Sequence, residues 1–214
     1  PGALREDGIM KAFGSAGILA GGRSTRMGFD KQLLKMNDKR VCHPLITLLN
    51  SRFDDIMVAT PTPHLYQGEN VRIIPDIYRG IGPLGGIHAA LVGAKSEAVF
   101  TIACDMPFLE LPYIDYMMGE MARGTYDACV TQCGDYLETF HAFYCRSALP
   151  ALEEAASQGD CSVHRFARSI RSLVIPQKTA AAFSPDWLAF TNLNTPEEYE
   201  LFLQKTRTPP KGAR

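Results

Sequence analysis

The feature that most constrains the fold is a series of short, mostly apolar runs along the first half of the chain, several of them continuous. They are predicted as strands at residues 16–19, 56–59, 71–74 and 98–103. Helical patterns lie between or after them, at residues 45–53, 87–94 and 111–121. Continuous apolar strands that alternate with helices are typical of parallel sheets covered on both faces. The sequence therefore predicts a single Rossmann-like, doubly wound α/β domain with a mainly parallel central sheet.

The same alternation continues to the end of the chain. Further strands are predicted at 127–132, 140–144, 172–176 and 187–190, and further helices at 148–157, 163–170 and from 196 onward. A short extended piece is predicted at 32–36. We expect the domain to span residues 15–206, after a leader or remnant at 1–14 and before a flexible tail at 207–214.

Composition excludes several classes of function. The 214 residues carry a formal net charge of -1, which gives no overall positive field for nucleic acid or an anionic membrane. No apolar run approaches the ~20 residues that a membrane-spanning helix needs. The six cysteines form no C-x-x-C pair or zinc-type spacing, and a chain of this length needs no disulfides to hold a core. We therefore expect reduced thiols in a cytoplasmic protein.

A glycine-rich, cationic segment follows the first predicted strand. Residues 19–31 read LAGGRSTRMGFDK, which matches neither the P-loop pattern nor the G-x-G-x-x-G dinucleotide pattern. Backbone N–H groups at Gly21 and Gly22 can approach an anion closely, and Arg23, Arg26 and Lys31 can add charge-assisted hydrogen bonds. The alternative is a mobile surface turn with solvated cations. The density of cations beside the glycine pair favours a phosphate site.

Polar residues follow several other predicted strands, at the edge where ligands bind in open α/β sheets. They are Thr60, Asp76, Asp105, Asn192 and Asn194. Asp105 comes directly after the strand at 98–103, where its carboxylate is suited to Mg²⁺, although a turn-forming aspartate is the alternative. Asn192 and Asn194 are at strand spacing and should face the same side, while Asn194 can also cap the next helix.

The histidines give weaker signals. We expect His88 and His141 to be packed or surface side chains rather than catalysts, because His88 lies in a helical segment and His141 in a strand-like one.

Four ordered motifs carry a resemblance to a known family. LAGGRSTRMGFDK is similar to the signature LAGG-x-S-x-RMG-x-DK of the nucleotidyltransferases that build molybdenum cofactors. Three more stretches fit in the same order, at 75–87 (PD…GIGPLGGI), 103–109 (ACDMPFL) and 192–199 (NLNTPEEY). Within that family the chain most resembles the guanylyltransferase branch.

The resemblance implies a Mg²⁺-dependent transfer of GMP from GTP to molybdopterin, without a general base. It implies a nucleotide site made by Leu19, Ala20, Gly21, Gly22, Arg23, Lys31, Asp76, Gly82, Pro83 and Asp105. Arg26, Lys31 and Asp105 would be catalytic, with Mg²⁺ on Asp105. Asn192 and Asn194 would lie on the molybdopterin side. Other cofactor-biosynthesis proteins and recipient molybdoenzymes are implied as possible partners.

Two alternatives stay open from the sequence. One is cytidylyl or other nucleotidyl transfer to a phosphorylated acceptor, against which the Gly21–Gly22 pair argues mildly. The other is a nucleotide-binding regulatory domain without turnover, against which the presence of both Lys31 and Asp105 argues. One departure from the family also bears on the site, because Thr60 stands where the family often has an asparagine.

Overall fold

The structure is a computed structural model, and it describes residues 12–21, 31–33, 35–36, 39–40, 42–75, 78, 80–193 and 198. Seven strands of this part form one sheet, in the order β5-β4-β1-β6-β8-β7-β9, and β2 pairs with β3 in a separate hairpin. The strands are β1 Ser15–Leu19, β2 Lys35–Met36, β3 Lys39–Arg40, β4 Asp55–Ala59, β5 Arg72–Ile74, β6 Ala98–Ala103, β7 Ala128–Cys133, β8 Tyr136–Cys145 and β9 Ser172–Ile175. The α-helices are α1 Cys42–Asn50, α2 Pro83–Gly93, α3 Leu111–Met121, α4 Leu149–Ser157, α5 Val163–Ser169 and α6 Gln177–Ala181.

The central sheet is mainly parallel, as the apolar runs predicted. β1 pairs in parallel with β4 on one side and with β6 on the other, and β4 pairs in parallel with β5. β8 is antiparallel to both of its neighbours, β6 and β7, while β9 is parallel to β7. Within the described strands, β8 alone therefore runs against the common direction of the sheet.

Helices cover both faces of the sheet. One core layer joins buried residues of α1 and α3 to the sheet, among them Leu45, Leu49 and Ile114. The other joins α2, α4 and α5 to the opposite face, through residues such as Ile87 and Leu152. This two-layer packing explains why the strands read as continuous apolar runs rather than as alternating ones.

The prediction of a last strand at 187–190 is wrong. Leu188–Phe190 is a 3₁₀ turn, and Trp187 before it has a left-handed backbone with φ of 58°. The aromatic residues of this run pack on one another, with the Trp187 and Phe190 rings 4.8 Å apart, and Phe190 packs against Tyr113 of α3. The run is apolar because it covers one face of the sheet, and not because it belongs to the sheet.

Other differences concern the bounds of elements. The extended piece predicted at 32–36 begins instead as a 3₁₀ turn at Lys31–Leu33, and only Lys35–Met36 forms a strand. α1 and α2 both begin earlier than predicted because a proline is tolerated in the first turn of a helix. The helix predicted from residue 196 lies largely outside the described residues.

The cysteines and helix lengths complete the description. All six cysteines are free thiols. None of the helices that the structure describes is long and apolar enough to cross a membrane.

Candidate active site

The ends of the central strands form a cleft edge around β1. The Ala20 N–H donates to the carbonyl of Ala59 at 2.9 Å, and the Cys104 N–H donates to the carbonyl of Leu19 at 3.1 Å. The chain leaves β1 toward β4 and β5 and later returns to the other side of β1 with β6. Such a reversal of strand order is the point at which open α/β sheets bind ligands. Leu19, Ala20 and Gly21 therefore lie where the topology favours a site.

Asp105 lies at the same edge, two residues beyond Ala103, the strand neighbour of Leu19. Asp105 is only 6% exposed. The turn that contains it is closed by a hydrogen bond from the Met106 N–H to the Ala103 carbonyl at 3.1 Å. The carbonyl of Asp105 accepts the Leu193 N–H at 3.0 Å. This bond holds Asn192, the residue before Leu193, beside Asp105 in the chain fold.

The convergence of Asn192 with Asp105 was predicted, but the predicted route to it was wrong. Asn192 does not extend from a strand, because the segment before it is the 3₁₀ turn described above. Its position instead depends on the backbone bond of Leu193. A sequence pattern cannot reveal such a contact between distant segments.

The oxygen atoms of this corner fit a divalent cation. Within the described residues no hydrogen bond reaches the Oδ1 atom of Asn192, although that atom is buried. A buried amide oxygen without a partner is costly unless a ligand satisfies it. Mg²⁺ binds through oxygen ligands, typically one or two carboxylates together with substrate phosphates. No group of three His, Cys, Asp or Glu side chains that could hold a metal ion occurs in the described part of the chain.

A second buried acid, Glu138, was missed by the sequence reasoning. Its Oε1 atom accepts the Phe140 N–H at 2.8 Å, at a register shift between β7 and β8 where the backbone bulges. Burial raises the pKa of the Glu138 carboxyl; hydrogen bonds from backbone N–H groups oppose that shift, and the nearby Asp105 charge adds to it. Glu138 is thus a second buried carboxyl group near Asp105. Its one sequence signal is a charged residue inside the apolar run of β8.

The start of α2 borders the cleft. Gly82 precedes the helix with φ of 61° and ψ of -141°, a backbone that favours glycine, and Pro83 is the first helical residue. Gly86 faces Leu19 so closely that an added Cβ would lie 3.0 Å from Leu19 Cδ2. The partial positive charge at the start of this helix therefore lies near the end of β1, which suits an anionic ligand there.

The hydroxyl of Thr60 is already engaged within the protein. It donates to Gln32 Oε1 at 2.7 Å and accepts the Thr62 N–H at 3.0 Å. The Thr60 hydroxyl therefore makes hydrogen bonds within the protein, at the position where the family often has an asparagine. The sequence analysis did not single out Gln32, whose side-chain oxygen accepts the hydrogen bond from Thr60.

Several predicted site residues lie outside the described residues. These are Gly22, Arg23, Arg26, Asp76 and Asn194, and for Lys31 only the backbone is described. The described members divide into two groups: Leu19, Ala20, Gly21, Asp105 and Asn192 at the strand ends, and Gly82 with Pro83 at the start of α2.

The two histidines are packed side chains, as predicted. His141 is fully buried and packs against the rings of Phe100, Tyr113 and Phe190. Burial lowers its pKa to about 4, so the ring is neutral at physiological pH. His88 is buried on α2, where its Nε2 atom lies 3.3 Å from Glu153 Oε1.

The chain is similar to a known protein family and to individual proteins of named function. The family model described as "MobA-like NTP transferase domain" matches residues 16–174. The chain is 44% identical to the molybdenum cofactor guanylyltransferase of Syntrophotalea carbinolica, over 88% of this chain and 90% of that protein. It is 42% identical to the "Probable molybdenum cofactor guanylyltransferase" of Peptoclostridium acidaminophilum, over 92% and 91% of the two chains.

A solved structure shows the same fold. Molybdopterin-guanine dinucleotide biosynthesis protein A from Archaeoglobus fulgidus superposes with a TM-score of 0.80 at 23% identity. The match covers 90% of this chain and 98% of that one.

Proposed function

Because the chain belongs to the MobA-like NTP transferase family, and its relatives are molybdenum cofactor guanylyltransferases, we propose that it transfers GMP from GTP to molybdopterin. A terminal phosphate oxygen of molybdopterin attacks the α-phosphorus of GTP. The bond between the α-phosphorus and its bridging oxygen breaks, and pyrophosphate leaves. The product is the guanine dinucleotide form of the cofactor.

One structural observation carries the assignment of chemistry to this cleft. Asp105 is buried at the end of β6, and the hydrogen bond from Leu193 holds the unpartnered oxygen of Asn192 beside it. A buried amide oxygen without a hydrogen-bond partner is costly. A divalent cation brought in with a nucleotide would give the Asn192 oxygen a partner and would take the Asp105 carboxylate as a ligand.

The nucleotide would occupy the edge around β1. Leu19, Ala20, Gly21 and Gly22 would contact the guanine nucleotide, and Asp76 would add a further contact. Gly82 and Pro83 at the start of α2 would border the same nucleotide. Arg23, Arg26 and Lys31 would hold the phosphates and neutralise the charge of the leaving pyrophosphate.

Mg²⁺ is the proposed cation, held by Asp105 with the Asn192 oxygen as a further donor. When bound, it would stabilise the negative charge that develops on the phosphate oxygens in the transition state. The acceptor would approach from the side of Asn192 and Asn194.

The reaction needs no general base from the protein. A phosphate nucleophile is already ionised near neutral pH, so the task of the chain is to bring two anions together and neutralise their charge. This agrees with the packed, neutral state of His141. We place the enzyme in the cytoplasm, where other cofactor-biosynthesis proteins and recipient molybdoenzymes would be its partners.

Product analysis tests the proposal. The purified protein is incubated with molybdopterin, Mg²⁺ and each of GTP, ATP, CTP or UTP, and both pyrophosphate and the dinucleotide are measured. We expect product with GTP and little with the others. Product with CTP alone would assign cytidylyl transfer, and nucleotide binding without any product would assign a regulatory domain; either result would overturn the proposal.

A further inference from the structure

Three hydroxyl groups converge on one buried amide oxygen beside the proposed nucleotide site. The Oε1 atom of Gln32 accepts hydrogen bonds from Thr60 at 2.7 Å, from Tyr66 at 3.1 Å and from Thr62 at 3.2 Å. We call these three residues the hydroxyl cluster. Gln32 is only 4% exposed and Tyr66 only 3%, so the bonds of both side chains are shielded from water.

The hydroxyl cluster lies directly at the carboxyl end of β4. Thr60 follows Ala59, whose carbonyl accepts the Ala20 N–H from the start of the glycine loop. Gln32 is the middle residue of the 3₁₀ turn Lys31–Leu33, and is therefore the immediate neighbour of Lys31. The hydrogen bonds thus fasten the turn that carries Lys31 to the strand that borders Ala20.

A second set of contacts holds the following hairpin to the same segment. The guanidinium of Arg40, at the end of β3, lies over the ring of Tyr66 at 5.4 Å and within 3.9 Å of the Glu69 carboxylate. The chain after Lys31 is therefore attached to residues 60–69 at two places. Both attachments are made by polar or charged groups. Such directional contacts restrict the position of the attached segment more narrowly than apolar packing does.

We propose that Gln32 is a positioning residue, which sets the location of the Lys31 backbone through the hydroxyl cluster. A lysine carries a compact charge on a flexible four-carbon stem, so its backbone position limits where that charge can reach. The proposal rests on the function proposed above only in the assumption that Lys31 meets nucleotide phosphates. It assigns no contact between Gln32 and the substrate.

The test is a double-mutant cycle on GTP affinity. Gln32→Met keeps the length of the side chain but removes the acceptor, and Lys31→Ala removes the charge that Gln32 is proposed to place. In the otherwise unchanged protein, Gln32→Met should weaken GTP binding about 10-fold. The interaction energies measured between coupled residues commonly correspond to a change in affinity of this order. In the Lys31→Ala background, the same change should weaken binding less than about 2-fold. Titration calorimetry with GTP and Mg²⁺ gives all four affinities.

A matched control separates positioning from stability. Asn50 is a second carboxamide that joins distant segments, since its Nδ2 atom donates to the Asn70 carbonyl at 3.2 Å and its Oδ1 atom accepts from Asn70 Nδ2 at 2.7 Å. It lies toward the amino end of β5, away from the cleft. Asn50→Leu should lower the melting temperature and leave GTP affinity within about 2-fold of the unchanged protein.

A further variant keeps the test decisive if Gln32→Met folds poorly. Thr60→Val and Tyr66→Phe, added to Gln32→Met, remove two of the hydroxyl donors whose hydrogen bond to Gln32 is lost, and they should recover melting temperature. GTP affinity should stay low because the turn Lys31–Leu33 still lacks its hydrogen bonds to the hydroxyl cluster. Equal losses from Gln32→Met with and without Lys31, no loss at all, or recovery of affinity together with stability would each overturn the proposal.

The binding readout keeps this proposal separate from the proposed function. If GTP binds but no GMP is transferred to molybdopterin, the proposed function fails while the cycle still decides the role of Gln32. If transfer occurs and the four affinities show no coupling, the proposed function stands and the role of Gln32 is rejected.

Discussion

Gly17→Ala is expected to destabilise the protein through the contact between β1 and α2. Gly17 lies in the centre of β1, and an added Cβ would be 3.0 Å from the Cβ of Ala90 on α2. Two carbon atoms pack without strain at about 3.5–4.0 Å, so the contact is short by roughly 0.5–1 Å. Neither methyl group can rotate away, because both are attached directly to backbone. The strain must therefore move α2 away from the sheet.

The size of the effect follows from this geometry. Overpacking of a tight core contact costs about 1–3 kcal/mol. For a chain of this length each 1 kcal/mol lowers the melting temperature by about 2–4 °C, so we expect a fall of roughly 2–12 °C. GTP affinity should also fall, because α2 begins at Gly82 and Pro83 and holds Gly86 against Leu19.

Gly119→Ala provides the matched control. Gly119 lies in α3, is exposed, and has no atom within 4 Å of the position that a Cβ would take. The same substitution should therefore stabilise the protein by about 0.5–1 kcal/mol through helix propensity. Thermal melting of the ligand-free variants, followed by circular dichroism, measures both shifts. A Gly17→Ala variant that melts at or above the temperature of the unchanged protein would refute the reasoning.

Three further predictions concern charge and ligand. The Arg171 guanidinium, 3.0 Å from the Asp127 carboxylate, holds the pKa of Asp127 at about 2, below its ordinary 3.8. The stabilisation is therefore complete above about pH 4 and is lost as the pH falls through 2. Asp127→Asn should cost about 1–2 kcal/mol at pH 7 in melting curves, the lower value allowing for the exposure of Arg171, and only a small part of that at pH 2. Because the pKa of Glu138 is raised, its ionised form opposes folding, so Glu138→Gln should raise the melting temperature at pH 7 and lose this advantage in acid, where the glutamate is protonated; a larger advantage in acid would contradict this. GTP with Mg²⁺ should raise the melting temperature more than ATP, CTP or UTP, and equal shifts would exclude guanine selectivity.

The fold was largely predictable because its signals are local. The strand at 98–103 is apolar except for Thr101 and is followed two residues later by Asp105, so both the strand and the acid near its end could be read from the sequence. The order of strands places β1 inside the sheet, beside the reversal of strand order where the rule for open sheets puts a ligand. The run at 187–190 failed because aromatic packing against Tyr113 gives the same apolar pattern as a strand.

The parts of the site that depend on contacts between distant segments were not predictable. Gln32 gives no signal of its own, and its role is visible only when Thr60, Thr62 and Tyr66 are seen around it. Glu138 reads as an ordinary strand residue until the bulge of β8 and the nearby Asp105 charge are known. In both cases the position is fixed by hydrogen bonds across the sheet edge, and no local periodicity encodes them.

The most direct test of the account is GMP transfer by Asp105→Asn. The substitution keeps the shape of the side chain and the backbone bond to Leu193 but removes the charge proposed to hold the cation. The rate of transfer from GTP to molybdopterin should fall about 10²-fold or more, the scale of one lost electrostatic contact in a transition state. Asp54→Asn, an exposed aspartate just before β4, serves as the control and should transfer at a normal rate. Near-normal transfer by Asp105→Asn would contradict the account and reduce Asp105 to a residue that shapes a turn.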